Sequence, residues 1–436
     1  MTPAMAERYP VRLAASGIAA GAIAGSQIAL ACGYQNAIGL DMGGTSTDIS
    51  VLSEGRLATT NDWHVEYGYP IKFPSIEVLT IGAGGGSLAW IDDAGSLRNG
   101  PQSAGADPGP ACYERGNDRP TNTDANLLLG RLGTSLIDGA MQLDREAARG
   151  AIETHVARPL GMTAEEAAGA ILRVANANMA DAVRLISIRR GYDPRDFVLT
   201  VFGGAGPLHG AALAKELSIP TVLVPPDPGI TSAFGCLLVD VRHDLAAMYL
   251  APAHEADPDA IERAFRELEA DAEQHLVAEG VPPDRMSLQR SIDMRYLGQW
   301  RSLSVPVGRP LASLGDALAG FHAAHEQQHN YRRDDAPVEI YRLNVTAIGV
   351  TQKPDLRSPD GTDHQPAPVT TRQVRFDDED GPRDTPVFRR ADLGPGARLV
   401  GPAIVEQLDS TVLVPPGVEA EVDAWRNLRM HIEGVH

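Results

Sequence analysis

The chain has 436 residues, of which 43% are hydrophobic and 22% charged, enough to bury a large core and to form two or more domains. Its formal net charge of -19 repels polyanions, and no local basic patch overrides that mean, so neither nucleic acid nor an anionic membrane surface is an expected partner. The cysteines Cys32, Cys112 and Cys236 lie far apart without a CxxC pair, which suits a reducing cytoplasm better than a disulfide framework.

Taken in chain order, the first feature is the stretch Leu13 to Cys32, apolar and rich in Ala and Gly. It follows Arg8 and Arg12 and ends in Ala-Leu-Ala-Cys, as a weak lipoprotein signal would. Gly17, Gly21, Gly25 and Ser26 interrupt it at small-residue spacing, which favours a helix packed closely on a sheet over a membrane span. Asn36 to Leu52 reads as a β-hairpin with a polar glycine tip. A glycine-dense zone follows, with Thr80-Ile-Gly-Ala-Gly-Gly-Gly-Ser87, a turn at 92–95 and the loop Ser103-Ala-Gly-Ala-Asp-Pro-Gly-Pro-Ala-Cys112, the kind of irregular backbone that carries binding loops.

Thr163 as N-cap, Glu165 and Glu166 in the first turn, and apolar residues from Ile171 to Ile186 predict a long helix ending at Gly191, with the Arg189-Arg190 pair favouring its C-terminus. Phe197–Phe202 is then a buried strand, Gly203–Gly206 a tight turn, Pro207–Leu217 a helix and Thr221–Pro225 a strand, which together make an α/β unit. A small-residue helix is expected over Thr231–Val239 after a Pro-Gly turn. Beyond it come an amphipathic helix over Asp257–Gly280, strands near Met294–Trp300 and Leu303–Val307, a helix over Leu311–Asn330 and a strand over Val338–Val350. The expected domains are therefore 1–243 (α/β), 244–353 (α+β), a Pro-rich linker at 354–368 and a β-rich tail at 369–436, with no internal repeat.

The hairpin tip, Asp41-Met-Gly-Gly-Thr-Ser-Thr-Asp48, has the parts a phosphate site needs. Gly43 and Gly44 let the backbone come close, the amides and hydroxyls of Thr45, Ser46 and Thr47 can hold oxygens, and Asp41 and Asp48 can hold a magnesium ion. The same composition also makes an ordinary turn. Gly203, Gly204 and Ala205, between a strand and a helix, can admit the flat face of an adenosine, or can be a purely structural turn. They lack the dinucleotide-binding spacing, and Pro225 and Pro226 stand where that motif wants an acid.

The order of the hairpin Leu40–Asp48, the turn Val201–Gly206 and the small-residue helix after Gly229 resembles the second half of the actin, hexokinase and Hsp70-like ATPase fold. More narrowly, Gly82-Ala-Gly-Gly-Gly-Ser87, Ser103–Cys112, Thr123-Asp-Ala-Asn126, Arg295-Tyr-Leu-Gly-Gln299 and Gly401-Pro-Ala-Ile-Val-Glu-Gln407 resemble the hydantoinase A/5-oxoprolinase family, from about Val11 onward. That resemblance implies ATP and Mg2+ as cofactors and phosphorylation of a cyclic amide such as a hydantoin or 5-oxoproline, followed by ring opening. Some members instead carboxylate ketones. It also implies that Asp41 organises the metal, that Gly43, Gly44, Thr45, Ser46 and Thr47 hold phosphate, that Asp48 assists, and that Gly203, Gly204 and Ala205 face the adenosine. A hydantoinase B-like subunit is the implied partner. Full-length relatives resemble this sequence from their middle onward and carry an earlier half-domain with its own phosphate hairpin. This sequence shows one such hairpin, and Gly17-Ile-Ala-Ala-Gly21 departs from the family's usual Gly-Pro-Ala-Ala-Gly. The expectation is that another polypeptide supplies the other half, or that the chain is a split product serving as a non-catalytic scaffold.

Two further clusters stand out. Asp107, Cys112, Glu114 and Asp124 fall in one glycine-rich region, where Cys112 is either a reactive thiolate or a buried, inert thiol. His322, His325 and His329, at helical spacing, make either one metal-binding face or a partly solvated one.

Overall fold

The structure is a computed structural model that describes residues 6–7, 10–14, 16–60, 63–65, 69–71, 75–137, 139–354, 366–376 and 381–432. The chain divides into two compact units, one of Gly17–Leu237 with Asp355–His436, the other of Met1–Ser16 with Leu238–Pro354.

In the first unit helix α1 (Ser16–Ala31) leads to strands β1 (Ala37–Met42) and β2 (Thr47–Ser53), the hairpin expected from the sequence. Strand β3 (Val78–Ile81) pairs with β2, and a second hairpin, β4 (Ser87–Ile91) and β5 (Leu97–Ser103), turns at 92–95. After α2 (Asn122–Leu128) comes the long α3 (Ala164–Ser187), which opens with a capping box between Thr163 and Glu166 and gives way to a 3-10 turn and Gly191 in the left-handed region. Then follow β6 (Val198–Phe202), α4 (Gly210–Leu217), β7 (Thr221–Val224) and the short α5 (Thr231–Gly235). Helix α5 stops well before the Val239 expected from the sequence.

Strands β1, β6 and β7 run parallel, and period-two alternation divides their side chains between the two faces. Ile38, Leu40, Met42, Leu199 and Val201 pack with Met179 and Val183 of α3 and with Leu213 of α4. The opposite face receives α1, where Ala29 joins Ala37, Val198 and Leu223. The glycines of α1 have a packing reason: a Cβ on Gly25 would stand 2.9 Å from the Phe202 ring, so the helix lies nearly in backbone contact with the sheet. The apolar stretch that mimics a signal sequence is thus largely a sheet-covering helix. No helix among the described residues is long and apolar enough to cross a membrane.

The second unit is a four-stranded antiparallel sheet, β8 (Val241–Pro252), β9 (Met286–Tyr296), β10 (Leu303–Val307) and β11 (Val338–Gly349), in the order β8-β11-β9-β10. Helices α6 (Pro258–Ala278) and α7 (Leu314–His329) bury Ile261, Phe265, Leu276 and Phe321 against it. Strand β8 has no counterpart in the sequence-based expectation, and β9 begins eight residues earlier than the expected Met294. Both strands place polar residues on alternate positions, Arg242 and Asp244 in one and Ser287, Gln289 and Ser291 in the other, which masks the apolar run.

The segment from Val369 differs from the separate β-rich domain expected of it. Strands β12 (Thr370–Arg375), β13 (Pro382–Arg389), β15 (Ala403–Glu406) and β16 (Thr411–Val414) form their own sheet, but β14 (Arg398–Val400), β17 (Glu419–Val422) and β18 (Leu428–His431) extend the main one. The cause is the free edge of β7, to which β18 pairs antiparallel, with Val224 opposite Leu428.

Candidate functional site

The hairpin register sets Asp41 opposite Asp48 and Met42 opposite Thr47. Alternation then sends the two carboxylates to the α1 face and Thr47 to the α3 face. Thr47 is fully buried, and its hydroxyl donates to the Ala83 carbonyl at 2.5 Å and lies 3.6 Å from the Met179 sulfur. Of the residues expected to hold phosphate it is therefore a structural anchor, with its hydroxyl engaged in the core. Gly43, Gly44, Thr45 and Ser46 form the tip, closed by a hydrogen bond from Gly43 N to Ser46 O, and a Cβ on either glycine would meet nothing within 4 Å. The Cβ directions of both glycines face open space.

The glycine loop after β3 lies across the tip. Gly85 N donates to Gly43 O at 3.0 Å and Gly86 N to Gly44 O at 2.6 Å, while a Cβ on Gly84 would come 2.6 Å from the Gly44 and Thr45 backbone. Only glycine permits two backbones this close. The loop is held from below: Asn122 Nδ2 donates to Gly84 O, and Thr123 donates to Gly85 O through both its amide and its hydroxyl. The motif Thr123–Asn126 thus acts on the loop rather than on open space.

Gly203, Gly204 and Ala205 meet the tip from the neighbouring strand. Gly203 has φ +80°, and a Cβ there would collide with the Met42 carbonyl and stand 2.5 Å from Asp41 Oδ1. Ala205 N donates to Met42 O at 3.0 Å, and Gly203 N donates to Pro228 O at 2.8 Å. All the residues expected at the site, Thr47 apart, are therefore brought to one place.

Ser232, Thr80 and Asp409 belong to the same constellation without an obvious signature in the sequence. Ser232 Oγ donates to Asp41 Oδ2 at 2.6 Å, and Thr80 Oγ1 donates to Asp48 Oδ1 at 2.5 Å. Asp409 accepts from Gly229 N at 2.8 Å, and Ser410 Oγ donates to Gly204 O at 3.2 Å, so the segment after β15 braces the Gly203–Ala205 turn. The traces in the sequence are Thr231-Ser232 opening a helix after Pro228-Gly229, and the position of Asp409 two residues beyond the Gly401–Gln407 motif.

Burial raises the pKa of Asp41, opposed by the Ser232 hydroxyl and reinforced by the negative charge of Asp48. Burial likewise raises that of Asp48, opposed by the Thr80 hydroxyl. Among the described residues no cationic side chain acts on either acid. Two facing, partly desolvated carboxylates with hydroxyl donors alone are a poor arrangement for the empty chain and a good one for a divalent cation bridging to phosphate oxygens. The residues present fit magnesium held by one or two carboxylates, water and phosphate.

The other candidate clusters do not form sites. Cys112 is buried, and burial together with the nearby Asp124 charge drives its thiol pKa far upward. Asp124 is committed to structure, accepting from the amides of Ala111, Cys112 and Thr121 and from the Thr121 hydroxyl, while Glu114 and Asp107 are exposed. His322, His325 and His329 are engaged separately. Tyr296 OH lies 2.8 Å from His322 Nδ1, His325 lies 2.8 Å from the Tyr331 carbonyl, and the His325 and His329 rings meet with centroids 4.6 Å apart and planes tilted by 54°. Among the described residues no group of three or more His, Cys, Asp or Glu is arranged to hold a metal. Arg190 pairs with Glu77 rather than only with its helix end.

Comparison with known proteins bears on the whole chain. The hydantoinase/oxoprolinase model matches residues 1–245, and the hydantoinase/oxoprolinase C-terminal domain matches 252–433. Caprolactamase subunit alpha of Pseudomonas jessenii is 38% identical over 418 residues, covering 94% of this chain and 60% of that protein. The crystal structure of the ATP-dependent caprolactamase from that organism matches with a TM-score of 0.85 at 36% identity, over 95% of this chain and 61% of that one. The 5-oxoprolinase 1 of Arabidopsis thaliana is 31% identical over 419 residues, 91% of this chain and 32% of that protein. A nucleotide-free acetone carboxylase structure matches with a TM-score of 0.76 at 26% identity, over 95% of this chain and 61% of that one. The chain thus spans less than two thirds of the length of these relatives, and the α/β sheet with its glycine-aspartate hairpin has the ATPase-like fold they share. By the reach of these matches and the order of its motifs, the chain belongs to the hydantoinase/oxoprolinase family.

Proposed function

We propose that this chain is the nucleotide-binding part of a cytoplasmic, ATP-dependent enzyme that opens a cyclic amide. The observation that carries the reading is the Asp41–Asp48 pair, set on one face of a hairpin whose tip glycines have open space in their Cβ directions and whose acids have no cationic partner among the described residues. In this reading Asp41, assisted by Asp48, holds magnesium. The amides and hydroxyls of Gly43 to Ser46 hold phosphate, and Gly203 to Ala205 face the adenosine. The amide oxygen of the substrate takes the terminal phosphoryl group as the bond to ADP breaks; water then adds to the ring carbon, and loss of inorganic phosphate with cleavage of the ring C–N bond gives the open carboxylate and amine. Catalysis of such a transfer is mostly position and electrostatics, which suits a site made of backbone and carboxylates.

The ring-opening reading draws on the likeness to caprolactamase and 5-oxoprolinase. The likeness to acetone carboxylase favours a second reading, phosphorylation of an enolised ketone before carboxylation. In both, a hydantoinase B-like subunit is the proposed partner. The test is to titrate the purified chain with ATP and magnesium by calorimetry, and then to assay the complex with its co-purified partners on lactams, hydantoins and 5-oxoproline against ketones with bicarbonate. ATP-dependent ring opening supports the first reading, bicarbonate-dependent ketone loss the second. Absence of any nucleotide or phosphate binding refutes both.

A further inference from the structure

The glycine loop that crosses the hairpin tip hydrogen-bonds to α2 on one side and to the tip on the other. Asn122 Nδ2 donates to Gly84 O at 2.8 Å, and Thr123 donates to Gly85 O from its amide at 2.8 Å and from its hydroxyl at 2.9 Å. In a trans peptide the N–H points opposite to the carbonyl of the same unit. Fixing the Gly84 and Gly85 carbonyls toward α2 therefore turns the Gly85 and Gly86 amides toward the tip, where they donate to Gly43 O at 3.0 Å and to Gly44 O at 2.6 Å. The same geometry then acts once more. With the Gly43 and Gly44 carbonyls turned to the loop, the Gly44 and Thr45 amides face away from it, and among the described residues neither has a protein acceptor.

Two files of hydrogen bonds thus run side by side. One leads from Asn122 through the Gly84–Gly85 and Gly43–Gly44 peptides to the Gly44 amide, the other from Thr123 through Gly85–Gly86 and Gly44–Thr45 to the Thr45 amide. In an extended strand successive carbonyls point to opposite sides. Here two successive carbonyls are drawn to one side, so the two amides that follow turn to the other, an arrangement that suits an anion. Each bond in such a file polarises the next peptide, which makes the terminal amides stronger donors. The start of the files is firmly held. Asn122 is fully buried and accepts from Asn99 Nδ2 at 2.8 Å, while Asn178 of α3 donates to Asn99 O at 3.1 Å. A buried amide pair adds little net stability over apolar packing of the same shape; what it fixes is direction. We propose that Asn122 and Thr123 are positioning residues for the phosphoryl group at the tip, setting through these files the direction and donor strength of the Gly44 and Thr45 amides. The proposal rests on the phosphate-binding reading of the hairpin and gives the glycine loop the role of aiming that site.

The test is calorimetric titration of the full chain with inorganic tripolyphosphate and magnesium, on wild type, Thr123→Val, Thr123→Ser, Asn122→Ala and Leu127→Val. It is read together with the amide proton shift of Thr45 in protein isotopically labelled at threonine, assigned with Thr45→Ser. Thr123→Val keeps the shape and the backbone bond and loses only the hydroxyl donor. It should bind tripolyphosphate about three- to tenfold more weakly and move the Thr45 amide proton upfield, whereas Thr123→Ser restores both. Asn122→Ala should weaken binding at least as much. Leu127→Val loosens α2 in its apolar cluster with Leu132 and Leu208, and should lower the unfolding midpoint without weakening binding. Wild-type affinity in both Thr123→Val and Asn122→Ala, or an equal loss in Leu127→Val, would overturn the positioning role and leave the phosphate site standing. No tripolyphosphate binding by wild type would defeat the hairpin reading and the proposal with it.

Discussion

Each unit contains a pair of acidic side chains, and the two pairs live under opposite conditions. In the second unit Glu262 and Glu269 of α6 grip Arg290 of β9 with N–O distances of 2.7 Å, and Arg309 adds a 3.0 Å contact to Glu269. The Arg290 guanidinium holds Glu262 down at about 2, well below the ordinary carboxylate range. In the first unit Asp41 and Asp48 face one another with hydroxyl donors and, among the described residues, no cation, and both are pushed upward. The first arrangement is closed, with charge compensated inside the fold. The second is open, and folding alone gives no reason to keep it. An acid pair so placed is the observation on which the proposed metal site rests.

The comparison breaks most visibly at the closed pair. Arg290→Met should destabilise the chain by about 3–5 kcal/mol in denaturant unfolding, because it leaves Glu269 buried without its main partner. The sign with pH follows from Glu262, whose folded pKa lies below its unfolded one. Its contribution is fully present above about 4.5 and is lost as pH falls toward about 2, so the acid limb of the wild-type stability curve should flatten in the variant.

At the open pair the outcome should be reversed. Asp41→Asn should lower ATP turnover in the assembled enzyme by about 10²-fold or more, yet raise the melting temperature of the ligand-free chain at neutral pH. Asp41 has a folded pKa above its unfolded value, so its charge disfavours the native state once pH has risen through the folded pKa. The gain from Asn should therefore be present at pH 7, shrink as pH falls through the folded pKa and vanish below 3.8, where both states are protonated. Unchanged turnover would remove Asp41 from the metal, and an unchanged melting temperature would show that the pair carries no cost.

How much of this was legible beforehand depended on how local the cause was. The hairpin, the capped helix α3 and the strand-turn-helix around Gly203 announce themselves through alternation, Thr163 with Glu166, and glycine, all within a few residues. The clustering of Asp41, Gly43 and Gly203 followed from family resemblance. The hydroxyls beside the acids did not, because Ser232 reaches Asp41 across 191 positions and its only trace, a helix start after Pro228-Gly229, does not point to a partner. The tail misled for the same reason: β18 is an ordinary short strand until the free edge of β7 captures it. Thr47 shows a finer limit, since the motif treats its hydroxyl as equivalent to that of Ser46 while alternation turns it inward to Ala83.

The tip and the turn beneath it give a smaller and more local contrast. Gly203→Ala should cost about 1–2 kcal/mol from its left-handed backbone alone, with more from collision at the Met42 carbonyl. It should also displace Asp41 and weaken nucleotide binding. Gly44→Ala, with open space around its Cβ, should leave the unfolding midpoint nearly unchanged and act on phosphate binding alone. Denaturant midpoints and tripolyphosphate affinities measured on the two variants separate structural from ligand-facing glycine; equal loss of stability in both would erase the distinction.

The smallest expected effect concerns the thiols, where the sequence left Cys112 open between nucleophile and core. Thiolate is the species that alkylates, and Cys112 is both fully buried and held protonated by burial and by Asp124. Cys32 is pushed up to about 12 by burial and by Asp423, whose carboxylate it meets at 3.2 Å. Cys236 alone of the three is exposed. Iodoacetamide at neutral pH should therefore modify Cys236 in the native chain and reach Cys112 only after unfolding, as read by peptide mass spectrometry. Alkylation of Cys236 should leave ATP turnover intact if the chemistry belongs to the acids and the phosphate tip. Rapid labelling of native Cys112, with loss of turnover in step, would instead put a nucleophile into the glycine-rich loop.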